Sequence, residues 1–230
     1  MTDLEMAKRH KYVLPDGSQA INVTAISSLL DDGKSGAFAG AAVKLTKQGT
    51  DYRAEWKARK DRGTRVHGYC EAFLRGEIVA CDPDDLGYVD AIEKWILAAE
   101  PDVVELEQIV LSEVGYGGRF DILARVDGQV SLVDLKTGSP YPIEHMLQLA
   151  AYRHADGIAV YDDTGALTGL RPLSTIERAG CLHVSEDGTY RMIWYPDADI
   201  EAWQMFCHLL RVYRWTRTDA VKAAVKGARS

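Results

Sequence analysis

The apolar positions of this chain change their period near residue 101. Up to that point they recur at helical spacing. Residues 24–30 read as a short helix with Thr24 as its candidate cap, and residues 37–45 as a second, alanine-rich helix. Residues 52–75 carry Trp56, Val66, Tyr69, Cys70, Phe73 and Leu74 at near-helical spacing, with Gly63 a candidate break and Gly76 the end. Asp82-Pro83-Asp84-Asp85 has the chemistry of a helix start, and Pro101 closes the helix that follows at about Glu100. Beyond Pro101 the pattern becomes that of strands. Residues 103–111 are β-branched and apolar, and residues 118–126 and 129–137 are two short runs separated by Asp127-Gly128. Gly138 and two prolines lead into a helix over 143–154. A second hairpin is expected over 181–184 and 190–195, and a closing helix over 198–217 with Trp203, Phe206, Leu210 and Tyr213 on one stripe. The tail after Thr218 reads as frayed.

Helices, three strands, a helix, a strand pair and a helix predict an α/β (α+β) single domain with a mixed sheet. Residues 1–100 form its mainly helical part, 101–156 its central strands, and 157–230 its last strands and closing helix. Composition changes this picture little: 47% hydrophobic and 27% charged residues are ordinary for a globular protein. No run approaches a membrane span, and the polar, mixed-charge start predicts no secretory signal, so a cytoplasmic location and no membrane partner are expected. Cys70, Cys81, Cys181 and Cys207 stand apart without a CxxC pair, which argues against zinc ribbons, an iron–sulfur cluster and a disulfide framework. The net charge of −7 counts mildly against nucleic-acid binding, although a bound cation changes the local sign.

The hairpin over Asp127-Gly128 allows a register to be calculated. With a two-residue loop, Val126 faces Gln129, Ala124 faces Ser131, Leu123 faces Leu132 and Ile122 faces Val133. Continued, the register sets Phe120 opposite Leu135, Asp121 opposite Asp134 and Arg119 opposite Lys136. Opposed side chains share a face with Cβ atoms roughly 4.5–5.5 Å apart, so the two carboxylates should repel unless a divalent cation lies between them. Lys136 shares the face of Asp134, with Leu135 an apolar anchor on the other side. An exposed face with an ordinary Asp–Lys pair is the plain alternative. It leaves the opposed acids and the Arg119–Lys136 juxtaposition unexplained, whereas a phosphate-handling site accounts for both.

In order along the chain, Gly63-Thr64-x-x-His67, Gly118-x-x-Asp121, Asp134-x-Lys136-Thr137-Gly138 and Gln148-x-x-x-Tyr152 resemble the motifs of the PD-(D/E)xK nuclease superfamily, in its RecB-type and phage-exonuclease branch. Phe120 stands where the superfamily's name has proline. The resemblance implies a restriction-endonuclease-like core and a DNA exonuclease of phage or bacterial recombination, repair or replication. It implies Mg²⁺ or Mn²⁺ on Asp121 and Asp134, with the Leu135 carbonyl and His67 as further ligands, and Lys136 orienting or helping to deprotonate the attacking water. Gln148 and Tyr152, at i and i+4 on one helix face, would meet the site or the DNA backbone, as would Thr137. Arg119 is read as a phosphate contact. Glu71, one turn beyond His67, either holds the His67 ring or is solvated. Glu107 either reaches the metal through water or is a plain strand glutamate, and His67 alone is equally a polar helix residue. Expected partners are single-stranded DNA or duplex ends, with a recombinase or single-strand-binding protein. No iron–sulfur cluster or nucleotide cofactor is expected. A flap or structure-specific endonuclease, and a silent nuclease fold kept as a binding or assembly module, are the rival readings.

Overall fold

A computed structural model describes residues 1–30, 34–138, 142–195 and 199–227. In chain order the elements are α1 (Asp3–Lys8), β1 (Tyr12–Val13), β2 (Gln19–Asn22), α2 (Val23–Ser27), α3 (Lys34–Lys47), α4 (Tyr52–Leu74), α5 (Leu86–Ala99), β3 (Asp102–Ser112), β4 (Tyr116–Val126), β5 (Gln129–Lys136), α6 (Pro142–Arg153), β6 (Gly157–Tyr161), β7 (Leu167–Arg171), β8 (Arg178–Val184), β9 (Tyr190–Tyr195), α7 (Asp199–Trp215) and α8 (Asp219–Gly227). The strands form one mixed sheet in the order β7-β6-β3-β4-β5-β8-β9, with β1 paired to β2 and β2 to β4. Most neighbours are antiparallel, while β5–β8 and β2–β4 are parallel. A mixed central sheet between helical layers is the expected coarse architecture.

Two apolar layers cover the sheet. On one face Val66 and Cys70 of α4 and Tyr88, Ile92 and Trp95 of α5 pack on Leu106, Ile122, Val133, Leu135 and Leu182. On the other, Val23 and Ile26 of α2, Leu147 and Tyr152 of α6, and Phe206 and Leu210 of α7 pack on Val110, Phe120, Leu123, Leu132 and Cys181. The helix α4 runs unbroken through Gly63. Asp51 caps it by accepting from the Arg53 N–H at 2.9 Å, and Glu55–Arg59 and Glu71–Arg75 ion pairs one turn apart support its exposed side. A short 3₁₀ turn capped by Asp82 precedes α5. Its Asp85 is wholly buried and takes a bidentate bond from Arg65 of α4 at 2.6 and 2.9 Å, tying the two helices together.

The β4–β5 turn has Asp127 and Gly128 both at positive φ, 51° and 78°, as a primed two-residue hairpin requires. Its ladder runs from Val126↔Gln129 to Ile122↔Val133 in the expected register. Other expectations are corrected. Asn22, not Thr24, caps α2: its side chain accepts from the Thr24 N–H at 2.8 Å. The strand order gains the β6–β7 hairpin and β1 and β2, and Asp219–Gly227 of the expected frayed tail form α8, the tail's last residues lying outside the described ones. Among the described residues, no helix is long and apolar enough to cross a membrane. The four cysteines are free.

Candidate active site

The sheet opens at the middle of β4. One edge of that strand is covered at its start by β2, through Tyr116 and Gly117, and at its end by β5, from Ile122 onward. Between them, Gly118, Arg119, Phe120 and Asp121 are unpaired on that side. The expected opposition of Asp121 with Asp134, Phe120 with Leu135 and Arg119 with Lys136 is therefore not formed. Past Val133 the two strands part, and β5 instead continues along β8, setting Asp134 beside Cys181 and Lys136 beside His183. The Asp121 carboxylate enters the gap and accepts the Leu135 N–H at 2.7 Å, in place of a backbone carbonyl.

A second irregularity turns Asp121 towards α4. In the β3–β4 register, Glu107 and Asp121 fall opposite each other between the pairs Leu106↔Ile122 and Gln108↔Phe120, outside the ladder. Glu107 is left-handed at φ 53°, a conformation that costs a residue with a Cβ on the order of 1 kcal/mol. The alternation of both strands shifts here. Leu106 and Ile122 pack under α4 and α5, whereas the likewise even-numbered Val110 and Phe120 pack under α6 and α7. The shift puts both acids on the α4 side in addition to the regular inward residues. Asp134, between Val133 and Leu135, belongs to the opposite, α6 side. The two aspartates thus meet at the gap from different faces rather than as neighbours on one face.

The cavity at this gap has a volume of about 540 Å³ and is lined by His67, Glu71, Glu107, Arg119, Asp121, Asp134, Lys136, Gln148 and Tyr152, with Lys60 and Thr64 of α4 and Tyr12 and Asn22 from the N-terminal strands. Nine of the expected side chains are therefore gathered in one place. Leu135 is in the adjacent core and reaches the site through its backbone. Thr137 lines a neighbouring cavity instead, with Arg59, Arg62, His183 and Arg191. Lys60, Gly63, Thr64, His67 and Glu71 form one face of α4, a stripe at three- and four-residue spacing of which sequence reasoning missed Lys60.

Most of the charged groups have an identifiable partner. The His67 Nε2 lies 3.2 Å from Asp121, and its Nδ1 lies 2.8 Å from the Gly63 carbonyl. Burial opposes the charged imidazole, but Asp121 and these bonds outweigh it and push the pKa up to about 9. Glu71 does not hold this ring: it pairs with Arg75 at 2.7 Å. Arg119 does not stand against Lys136 but pairs with Glu107 at 2.8 Å. Lys136 is in close contact with Asp134. Gln148 donates to the Tyr152 hydroxyl at 2.8 Å, and the buried ring of Tyr152 covers Gly118. The backbone can come this close to the ring only because residue 118 lacks a Cβ.

The acids do not share their environment equally. Burial, then the Asp121 charge, raises Glu107 to about 7 despite Arg119. Burial also raises Asp134, with Lys136 opposing and Asp121 adding to it. Against its own burial, Asp121 is held below the usual carboxylate range by His67 and Lys136. Lys136 stays above its ordinary value because Asp134 and Asp121 outweigh its burial. Of the four carboxyl groups round the cavity Glu71 is taken by Arg75; the other three, two of them reluctant to ionise, form a donor set suited to a hard divalent cation.

No family model matches the chain, and no curated protein does. One solved structure with partial similarity is described as "Crystal structure of SSO0001": 14% identical, it covers 56% of this chain and 58% of that chain, at a TM-score of 0.30. The matched part is thus under two thirds of that protein's length, and a likeness of this degree carries no argument about fold or activity.

Proposed function

We propose that the chain is a divalent-metal-dependent deoxyribonuclease of restriction-endonuclease-like fold, acting as an exonuclease on DNA. One observation carries this reading: Asp121, Asp134 and Lys136 converge with Glu107 and His67 where two strands of the sheet part. A purely structural Asp–Lys pair has no use for two further half-buried acids beside it, since each adds repulsion that folding must offset.

Asp121 and Asp134 would hold Mg²⁺ or Mn²⁺ with the Leu135 carbonyl, and Glu107 would reach it through water. His67 would join as a ligand only on giving up the proton that its ion pair with Asp121 favours; otherwise it orients that carboxylate. The cation supplies a more acidic bound water and polarisation of the phosphoryl oxygen. Lys136, kept as an ammonium by its two acid neighbours, orients water and offsets charge at the phosphate rather than taking up a proton. Gln148 and Tyr152 fix the α6 side of the cavity for the DNA backbone. Arg59, Arg62 and Arg191 of the neighbouring cavity offer a local basic track on a chain that is acidic overall, and would carry the salt-sensitive part of binding.

An end-labelled time course with Mn²⁺ on linear single strands, linear duplex and covalently closed circular DNA tests the reading. Loss of linear DNA with the circle intact is expected. Cleavage of the circle would favour the endonuclease, and cation-dependent binding without cleavage the silent module.

A further inference from the structure

A second constellation lies on the far side of Asp134. The strand β8 places Cys181 and His183 two residues apart, so both side chains leave the same face, towards α6. His145, in the second turn of α6, comes down on them, with the two imidazole centres 5.8 Å apart. One donor atom from each of His145, Cys181 and His183 lies within 4.8 Å of the other two, and all three residues are buried. A tetrahedral centre with ordinary Zn–N and Zn–S bonds keeps its donors on the order of 3.5 Å apart, so small side-chain rotations would close the set.

An independent observation points to a ligand here. His183 is only 7% exposed, yet among the described residues its Nε2 has no hydrogen-bond partner. A buried imidazole nitrogen left without a partner costs on the order of 1–3 kcal/mol. The ring's other nitrogen is engaged by the backbone of Gly138. That is the arrangement of metal-binding histidines: a carbonyl fixes the tautomer and leaves the remaining lone pair free for the ion. His183 also lines the cavity bounded by Arg59, Arg62 and Arg191.

We infer that His145, Cys181 and His183 form a transition-metal site that takes Zn²⁺, distinct from the carboxylate site at Asp121 and Asp134. Two imidazoles and a thiolate select zinc over Mg²⁺ and Mn²⁺, which prefer oxygen. Binding releases the Cys181 thiol proton to solvent. Three protein ligands leave a fourth position for a solvent ligand, and without metal the Cys181 sulfur lies 3.8 Å from the Asp134 Oδ2. The ion would clamp the start of α6 to β8 and so hold the helix that carries Gln148 and Tyr152. The inference does not depend on the nuclease reading.

Cobalt is the probe. The full-length protein, freed of metal under reducing conditions, is titrated with Co²⁺ and then with Zn²⁺ in competition with a chromophoric chelator. One equivalent of Co²⁺ should give a thiolate-to-cobalt charge-transfer band that Zn²⁺ abolishes. The band should vanish in Cys181→Ser and weaken in His183→Ala with a loss of zinc affinity on the order of 100-fold or more. It should persist in Cys207→Ser and in Asp121→Ala, a change at the other site. Circular dichroism identifies any variant that fails to fold, and His145→Ala provides a second independent ligand deletion. No band in the folded parent protein, or a band that survives Cys181→Ser, overturns the inference. Failure of DNA cleavage alone leaves it standing.

Discussion

Replacing Glu107 with glutamine should stabilise this protein in the absence of metal. An ordinary buried ion pair with Arg119, 2.8 Å away, would predict the opposite. The sign follows from the carboxyl's pKa, raised from 4.5 to about 7 by burial first and Asp121 second, despite Arg119. A carboxyl with a raised folded-state pKa binds its proton more tightly in the native state, so stability falls as pH rises from the unfolded value, about 4.5, to the folded one, about 7. Above about 7 the penalty is complete. Each pKa unit corresponds to about 1.4 kcal/mol, which sets a ceiling of about 3 kcal/mol for the gain, because part of the repulsion is shared with Asp121. Glutamine keeps the length and one acceptor for Arg119 but removes the charge. Urea denaturation in EDTA should therefore show Glu107→Gln more stable than the parent by about 1–3 kcal/mol at pH 8. The difference should disappear at or below pH 4.5. Mn²⁺ should narrow it, because the cation compensates the parent's acids and leaves less for the variant to relieve. A variant less stable than the parent at pH 8 without metal would refute the view that these acids are held together for a ligand.

Two further outcomes test the frame around the site. Arg65→Ala strands the buried Asp85 carboxylate with only the Tyr69 hydroxyl, 3.4 Å away. It should cost about 3 kcal/mol in chemical denaturation, at the low end for a broken buried pair because the Arg65 side chain is 40% exposed, and Arg65→Lys should recover only part of that by losing the bidentate geometry. In Gly118→Ala the new Cβ would stand 2.4 Å from Cε1 of Tyr152, and the buried ring cannot swing aside without losing its bond from Gln148. A cost of about 1–3 kcal/mol is expected, with a thermal midpoint lower by roughly 3–10 °C for a chain of this size.

The parts of this account that were legible in the sequence rest on local chemistry. Asp127-Gly128 dictates a two-residue turn, and the two-residue period of the strands carries the register five pairs from it, to Ile122↔Val133. The extrapolation failed one step further on, where the causes become non-local. β5 turns to follow β8, Glu107 adopts a left-handed backbone, and the Asp121 side chain replaces a backbone acceptor. None of these is written in the hairpin's own residues. The acids and the lysine line one cavity nonetheless, with His67; the motif order singled them out independently of the flat register. The partner of Arg119 was missed because Glu107 comes from another strand, whereas that of Glu71 is local, Arg75 one turn along α4, and was passed over in favour of His67. Gly63 did not break α4, since a helical glycine costs only about 1 kcal/mol against alanine and the ion pairs around it offset that. Strands β6 and β7 escaped notice because their five-residue runs are short, β6 opening on Gly157 and β7 interrupted by Gly169, and they gain their definition from pairing with each other and, for β6, with β3. The His145–Cys181–His183 grouping left only Cys181-x-His183 as a trace in the sequence, its third member being brought in by α6.

The central claim is that Asp134 and Lys136 act on a phosphodiester together with a divalent cation. Its most direct test is the degradation of end-labelled linear DNA by the parent, Asp134→Asn and Lys136→Met proteins, with Mn²⁺ and with EDTA, each variant's fold verified by circular dichroism. The account predicts cleavage by the parent with Mn²⁺ only, and rates lower by on the order of 100-fold or more in both folded variants, as expected when a group that stabilises transition-state charge is removed. Cleavage at the parental rate by either variant, or cleavage by the parent undiminished in EDTA, would contradict it.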